Sequence, residues 1–294
     1  MPSLRPRRPR RSPGRPRIVV IGDLVVDVVL RPDRALEHGS DVPGRIALTQ
    51  GGSASNAARW LGRLGARSAL VAAVGRDAAG RALVDAIRSD GVTPYVVRVA
   101  GARTGRIGVL VAPDGERTFV QDRAAALQLG PADLKPAWFA RADAVHLPIY
   151  SLLEEPLGLA GRRPIDARSR LIADIAPDIL FATASEAEAL LGRYAVEGLL
   201  DMATVAVVKR GSKGATVLAR DGDRQLRLEV ATTPITATDT TGAGDAFDAG
   251  FLVGWFTSQA IGRSLQASLQ RAALAGHRAA TRQLMTPRPE IVIT

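Results

Sequence analysis

The chain has 294 residues, of which 46% are hydrophobic and only 4% aromatic, enough apolar material for a sizeable buried core. It contains no cysteine, which excludes disulfides and thiolate chemistry, and its three histidines, His38, His146 and His277, are too far apart to form a metal-ligand spacing. The net charge is +10, but residues 1–17 contain seven arginines and no acid, so the remaining chain carries only +3.

The basic N-terminal segment, residues 1–17, also contains five prolines, so we expect it to be disordered. The simplest interpretation is a dispensable extension, and a weak tether to nucleic acid or to an anionic membrane is the alternative. Because the remaining chain is nearly neutral, we do not expect nucleic acid to be its main partner. The longest apolar stretches are broken by Asp23 and Asp27 and fall short of a bilayer span, so the sequence predicts a cytoplasmic protein.

The first predicted element is a buried parallel strand over residues 18–21, which form a continuous apolar run. A helix is predicted over 54–64, a strand over 68–74 and a further helix over 77–90. This alternation is typical of βαβ units, in which helices cover a parallel sheet.

Proline and glycine punctuation after the first strand indicates short strands outside the main sheet. Strands are also predicted over 104–111 and 117–121, on either side of the turn Pro113-Asp114-Gly115. We expect these pieces to form a small β lid built from segments at roughly 28–50 and 97–123.

Core strands return at residues 144–148, 179–183 and 204–209, and a long Ala-rich helix is predicted over 263–282. The sequence therefore predicts an α/β fold with one doubly wound, mainly parallel sheet. Ligands of such a sheet bind beyond the carboxyl ends of the strands, so we expect the lid to lie over that edge.

The crossover after residue 148 fits this pattern poorly. Residues 151–164 contain two prolines and two glycines, whereas a parallel crossover usually needs a dozen or more residues and commonly holds a helix. We expect a short or broken helix here.

The most informative motif is residues 239–250, a glycine-rich turn that leads into an apolar helix. Unpaired N–H groups and the helix dipole favour an anion at such a start, and Gly242 and Gly244 allow close approach of the backbone. Asp245 would repel that anion unless it has another task, such as accepting the proton of an attacking alcohol. The structural alternative is a strand-to-helix connection with an Asp near the helix N-cap.

A second motif lies upstream at residues 51–58, Gly-Gly-Ser-Ala-Ser-Asn-Ala-Ala, and is followed by glycines at 62, 65, 75 and 80. Together, in this order and over about 270 residues, the two motifs resemble the signatures of the ribokinase-like (PfkB) sugar kinases. The resemblance implies that residues 18–294 form one ribokinase-like domain.

The resemblance also assigns roles to individual residues. It implies Asp245 as the general base, the N–H groups of Gly242, Ala243 and Gly244 as the anion hole, and Asp239 near a monovalent cation such as K⁺. The acceptor pocket and lid hinge would comprise Asp27, Gly51, Gly52 and Asn56. Nucleotide contacts would come from Thr183, Glu186, Lys209, Gly211, Ser212, Gly214 and Thr241.

The nucleotide motif departs from the family at Thr183, which stands where relatives have Asn in Asn-x-x-Glu; Glu186 is retained and would organise Mg²⁺ through water. Residues 123–126, Arg-Ala-Ala-Ala, replace the usual Arg-Gly-Ala-Asn on the acceptor side. The resemblance implies an ATP- and Mg²⁺-dependent kinase for a hydroxyl of a small sugar or sugar derivative, and a homodimer paired through the lid. The alternatives are a nucleoside kinase of this family and a non-catalytic sugar sensor on the same scaffold.

Overall fold

The structure, a computed structural model, describes residues 15–148, 177–191, 196–237 and 239–293. Most of the basic N-terminal segment and the predicted crossover at 151–164 lie outside these residues.

The first sheet has four parallel strands in the order β5-β4-β1-β8. Its central strands are β1 (Arg17–Ile21) and β4 (Arg67–Gly75), and its edges are β5 (Thr93–Val99) and β8 (Ala144–His146). The apolar run of β1 is inaccessible to solvent from Ile18 to Ile21, which confirms the predicted buried parallel strand.

Two helices pack against this sheet. Helix α1 (Ser53–Arg63) and helix α2 (Ala78–Ser89) lie close to the predicted ranges, and the Asp77 side chain caps α2 by accepting a hydrogen bond from the Gly80 N–H at 2.9 Å. A four-residue helix, α3 (Pro136–Phe139), precedes β8.

The second sheet has the order β12-β11-β10-β9. The parallel pair β9 (Ile179–Thr183) and β10 (Val205–Lys209) matches two predicted strands. The antiparallel hairpin β11 (Ala215–Asp221) and β12 (Arg224–Val230) was not identified from the sequence. Its signal was the Gly222 turn, which has a φ of 62°.

Three further helices complete the described fold: α4 (Ala184–Leu191), α5 (Ala243–Ala260) and α6 (Leu265–Met285). Helix α5 joins the two sheets, because Ala246 and Ala249 pack in the core of the first sheet and Phe247 and Phe251 in that of the second. A Cβ at Gly250 would lie 2.6 Å from the Ala275 carbonyl oxygen, so α6 approaches α5 closely only because that side chain is absent. No helix in the described ranges is both long and apolar enough to cross a membrane.

A separate small sheet has the order β3-β2-β6-β7. Its strands are β2 (Val25–Pro32), β3 (Gly44–Gly51), β6 (Thr104–Val111) and β7 (Arg117–Ala124). The expected lid segment starting at 97 differs from the structure, because residues 97–99 belong to β5 of the first sheet. After α6 the chain returns to the edge of β3, where the Ile291 N–H donates to the Leu48 carbonyl at 2.8 Å.

The structure also moves the boundary of the basic N-terminal segment. Arg17 was expected in the disordered part but begins β1, where its backbone N–H donates to the Asp143 carboxylate at 2.8 Å. Its guanidinium donates to the carbonyls of Ala140 and Trp138 at 2.6 and 2.8 Å. These hydrogen bonds extend the predicted strand by one residue towards the N-terminus.

Candidate active site

The start of helix α5 has the geometry of an anion-binding site. Gly242 adopts a left-handed conformation with φ at 77°, which an L side chain adopts only with strain. The Ala243 N–H donates to the Thr240 carbonyl at 3.3 Å, whereas the Gly244 N–H has no hydrogen-bond partner among the described residues. The Lys209 ammonium nitrogen lies 3.4 Å from the point that a Cβ of Gly244 would occupy. An unpaired N–H and a cation therefore adjoin at this turn, as an anion requires.

Asp245, one residue further along α5, is held by helix α1. Its Oδ1 accepts a hydrogen bond from Ser53 Oγ at 2.5 Å, and its Oδ2 accepts one from Asn56 Nδ2 at 3.1 Å. Burial of the carboxyl group raises the pKa of Asp245 to about 6, although both hydrogen bonds oppose that shift. A carboxylate with this pKa is ionised at neutral pH and is a stronger base than an exposed one.

The acceptor-side carboxylate predicted from the sequence, Asp27, lies buried on β2. A Cβ at Gly51, on the neighbouring strand β3, would be 1.8 Å from Asp27 Oδ1, so this glycine makes room for the carboxylate. Gly52 caps α1 with φ at 99°, and a Cβ there would meet the Asp23 carbonyl at 2.5 Å. Burial raises the pKa of Asp27, while Arg288, whose Nη1 donates to Oδ2 at 2.6 Å, opposes the shift.

Except for Thr241, the nucleotide residues predicted from the sequence lie at or after the ends of β9 and β10. Lys209 and Thr183 are neighbours there in the register of the two strands. Thr183 and Glu186 cap helix α4 reciprocally, with Thr183 N donating to Glu186 Oε2 at 2.7 Å and Glu186 N donating to Thr183 Oγ1 at 3.2 Å. Threonine thus retains the capping oxygen of the asparagine that it replaces. Residues 211–214 form a compact turn, with Gly211 and Ser212 exposed.

Lys209 connects this edge to the start of α5. Its ammonium pairs with Asp248 at 3.0 and 3.1 Å. Burial would lower the pKa of Lys209, but Asp248, together with the more distant Asp245 and Glu186, outweighs burial and raises it. Lys209 therefore remains charged beside the glycine turn. The partner Asp248 was quoted in the motif, but its role was missed.

Asp239 and Thr241 lie immediately before the glycine turn. Asp239 Oδ1 accepts the Thr241 N–H at 2.9 Å, while its Oδ2 lies 3.1 Å from Arg31 Nη2. Burial alone would raise the pKa of Asp239, but these hydrogen bonds and two guanidinium groups lower it. Within the described ranges, no cluster of three or more acids or histidines could hold a metal ion.

Several residues at this site were missed by sequence reasoning. The turn is held from outside by Gln283, whose Nε2 donates to the Thr241 carbonyl at 2.9 Å and whose Oε1 accepts from the Trp60 indole at 2.8 Å. Arg117 of β7 donates to Thr241 Oγ1 at 2.7 Å. Ser53 and Asp248 had a signal, since each lies inside one of the two glycine-rich motifs. Gln283 and Arg117 are far away in sequence and fall in no motif.

A helix start with the geometry of an anion site, beside an enclosed carboxylate, is typical of one class of enzyme, the phosphotransferases with an alcohol acceptor. The comparisons with known proteins agree. Residues 15–157 and 164–290 match the family described as pfkB family carbohydrate kinase. The chain belongs to this family, and it is a ribokinase-like carbohydrate kinase.

Among curated relatives, the ATP-dependent ribose-1-phosphate kinase of Halopiger xanaduensis is 30% identical over 285 residues, which cover 92% of this chain and 95% of that protein. The ribokinase of Mus musculus is 28% identical over 271 residues, which cover 80% of this chain and 83% of that protein. Among solved structures, adenosine kinase from Sinorhizobium meliloti superposes with a TM-score of 0.74 at 25% identity, covering 94% of this chain and 96% of that chain.

Proposed function

We propose that the protein transfers the terminal phosphoryl group of ATP directly to a primary hydroxyl of a small sugar or sugar derivative, with Asp245 as the general base. The observation that carries this proposal is the position of Asp245, because a carboxyl with a pKa of about 6 adjoins the anion turn. An acceptor hydroxyl beside Asp245 Oδ2 loses its proton to that oxygen as its own oxygen attacks phosphorus.

The glycine turn supplies the complementary half of the reaction. The free Gly244 N–H and the Lys209 ammonium stabilise the negative charge on the phosphoryl group in transfer. Gly242 supports that role by its left-handed conformation, and Ala243 joins once its 3.3 Å bond to Thr240 opens. Ser53 and Asn56 hold the base in position, and Asn56 with Gly51, Gly52 and Asp27 forms the acceptor side.

The nucleotide and metal fit the edge formed by β9 and β10. Glu186 is exposed and its Oε1 has no hydrogen-bond partner among the described residues, so it can hold a Mg²⁺-bound water. When bound, Mg²⁺ neutralises charge on the ATP phosphates. Thr183, Lys209, Gly211, Ser212, Gly214 and Thr241 would contact the nucleotide. We assign Asp239, in place of a K⁺ site, the task of holding Arg31 and Arg288.

The small sheet is proposed to act as a lid and as the contact of a homodimer. Arg31 and Arg117, on the first and last of its four strands along the chain, reach the turn before α5. The face of the sheet that carries Ile46 and Val120 leaves these side chains 69% and 73% exposed. Two copies paired through this face would cover both side chains.

The experiment that tests the catalytic proposal is an ADP-release assay with ATP over a panel of sugars, sugar acids, sugar phosphates and nucleosides. We expect phosphorylation of at least one carbohydrate. Asp245→Asn should lower kcat/KM for that acceptor by about 10²- to 10⁴-fold, the range for a lost general base, while nucleotide binding is retained.

The matched control is Asp85→Asn, the same substitution at a 72% exposed carboxylate on α2, which should leave activity unchanged. If Asp245→Asn abolished nucleotide binding as well, Asp245 would be structural and the proposal would fail. Turnover of nucleosides alone would assign the chain to the nucleoside kinases of the family.

A further inference from the structure

The C-terminal segment places a guanidinium group on the proposed acceptor carboxylate. The segment is anchored at the free edge of β3, where Glu290 forms a bridge with Thr49. Two residues earlier, Arg288 Nη1 donates to Asp27 Oδ2 at 2.6 Å. The side chains of Arg288 and Asp27 are only 8% and 6% exposed, so this ion pair is part of the closed site.

A second arginine converges on the same place. Asp239 Oδ2 lies 3.1 Å from Arg31 Nη2 and 3.5 Å from Arg288 Nε, so two guanidinium groups share one carboxylate oxygen. Arg288 Nε is buried and makes no hydrogen bond. The third arginine, Arg117, donates to the neutral hydroxyl of Thr241 and lies over the Phe119 ring. Asp23 adds a buried carboxylate near Asp27, so the three arginines bring hydrogen-bond donors to this place rather than a surplus of charge.

A cavity beside Arg288 is lined by further arginines. Its wall includes Asn56, which holds the base Asp245, and three arginines, Arg59, Arg63 and Arg288, but no carboxylate-bearing residue. Arg59 and Arg63 both pair with a single acid, Asp90, so positive charge is in excess in the wall of this cavity.

These contacts change what an acceptor meets in the pocket. A carboxylate with two free oxygens accepts hydrogen bonds from the hydroxyls of a neutral sugar, but one oxygen of Asp27 is already taken by Arg288. A guanidinium can only donate, and its fork matches the paired oxygens of a phosphate or a carboxylate. The pocket wall thus offers donors and positive charge where a neutral sugar would need acceptors.

We propose that Arg288 and Arg31 form an anion subsite, and that the acceptor is a sugar which already carries a phosphate or a carboxylate group. This inference rests on the proposed function and specifies its substrate class. Arg288 would donate to the anionic group, while its pairing with Asp27 and Asp239 keeps the guanidinium in place.

The test compares acceptors that share a carbon skeleton and differ in charge. Ribose is compared with ribose 1-phosphate and with ribonate, and fructose with fructose 6-phosphate, by ATP-dependent ADP release. Ribose 1-phosphate and fructose 6-phosphate test whether the anionic group is a phosphate, and ribonate tests whether it is a carboxylate. We expect one anionic member to have a kcat/KM at least about 10-fold above its neutral parent, in line with a charge-assisted hydrogen bond.

Variants then link the preference to the subsite. Arg288→Gln should reduce the ratio of anionic to neutral kcat/KM by about 10- to 100-fold, and Arg288→Lys, which keeps the charge but not the fork, by less. Arg31→Gln alters a partly exposed residue and should lower the same ratio. It keeps the test decisive where Arg288→Gln fails to fold. Arg88→Gln, on an exposed helix position, is the matched control and should leave the ratio unchanged.

A second readout does not depend on turnover. Without ATP, the preferred anionic sugar should raise the melting temperature of the wild-type protein more than its neutral parent does, and Arg288→Gln should remove that difference. Preferred turnover of a neutral sugar, or a ratio unaffected by both arginine variants, would overturn the anion subsite while leaving the kinase proposal intact. Failure to phosphorylate any carbohydrate would overturn both.

Discussion

The pKa of one side chain, Asp245, sets the pH range in which the proposed reaction can run. Burial raises this pKa from 3.8 to about 6. The raised value means that the ionised form is disfavoured by the fold, so the group favours the folded state most at low pH and loses that contribution as pH rises through 6. Function has the opposite dependence, because only the ionised carboxylate accepts a proton.

The pH profile should therefore show an acidic limb. We expect kcat/KM to be level above about pH 7 and to fall about tenfold per pH unit well below pH 6, since the profile of kcat/KM reports groups of the free enzyme. The measurement is the initial rate at low acceptor concentration between pH 5 and 9. The residual rate of Asp245→Asn should lack this limb. A wild-type profile that stays level down to about pH 5 would assign proton transfer to another group.

At the scale of one element, the start of helix α5 combines a backbone requirement with a functional one. Gly242 is left-handed, whereas Gly244 is helical and lies against the Lys209 ammonium. The two glycines therefore serve different purposes, and alanine substitutions can separate them.

Gly242→Ala should destabilise the protein by about 1–2 kcal/mol, because alanine is strained at this φ, and should lower kcat by distorting the turn. Gly244→Ala should leave stability nearly unchanged but lower kcat, since its Cβ would lie 3.4 Å from the Lys209 ammonium, in the space where the phosphoryl group is proposed to bind. The measurements are denaturant unfolding and steady-state kinetics.

The matched control for backbone strain is Gly222→Ala in the β11–β12 turn, where φ is 62° and no atom lies within 4 Å of the added Cβ. It should destabilise the protein comparably and leave kcat unchanged. Because alanine retains the backbone N–H, full activity of Gly244→Ala would contradict only the close approach of the phosphoryl group that the missing Cβ is proposed to allow.

For the whole molecule, the apolar face of the small sheet predicts the assembly state. Ile46→Glu and Val120→Glu should convert the expected homodimer to a monomer, because each places a charge on the paired faces, one on edge strand β3 and one on edge strand β7. Light scattering after size-exclusion chromatography measures the mass. Ile261→Glu is the control, an equally exposed apolar residue at the end of α5, 61% accessible, that should leave the dimer intact. A monomeric wild-type protein would contradict the lid contact.

Much of the fold could be predicted because its signals are local. The buried run Ile18–Ile21 specified a parallel strand, and Gly242 with Gly244 specified a turn at a helix start, since solvent exclusion and steric freedom act over a few residues. The hairpin of β11 and β12 was missed because its turn carries a single glycine, Gly222, in an otherwise charged stretch.

The sequence by itself therefore determined the layered α/β architecture and the residues of the glycine turn with the adjoining Asp245. Tertiary structure alone decided what surrounds them: Lys209 on Asp248, Arg31 on Asp239, and Arg288 on Asp27, 261 residues away in sequence. The physical reason is that periodicity and glycine conformation are properties of a short stretch of chain. An ion pair, in contrast, exists only where folding brings two distant segments of the chain within a few ångströms and removes the water between them.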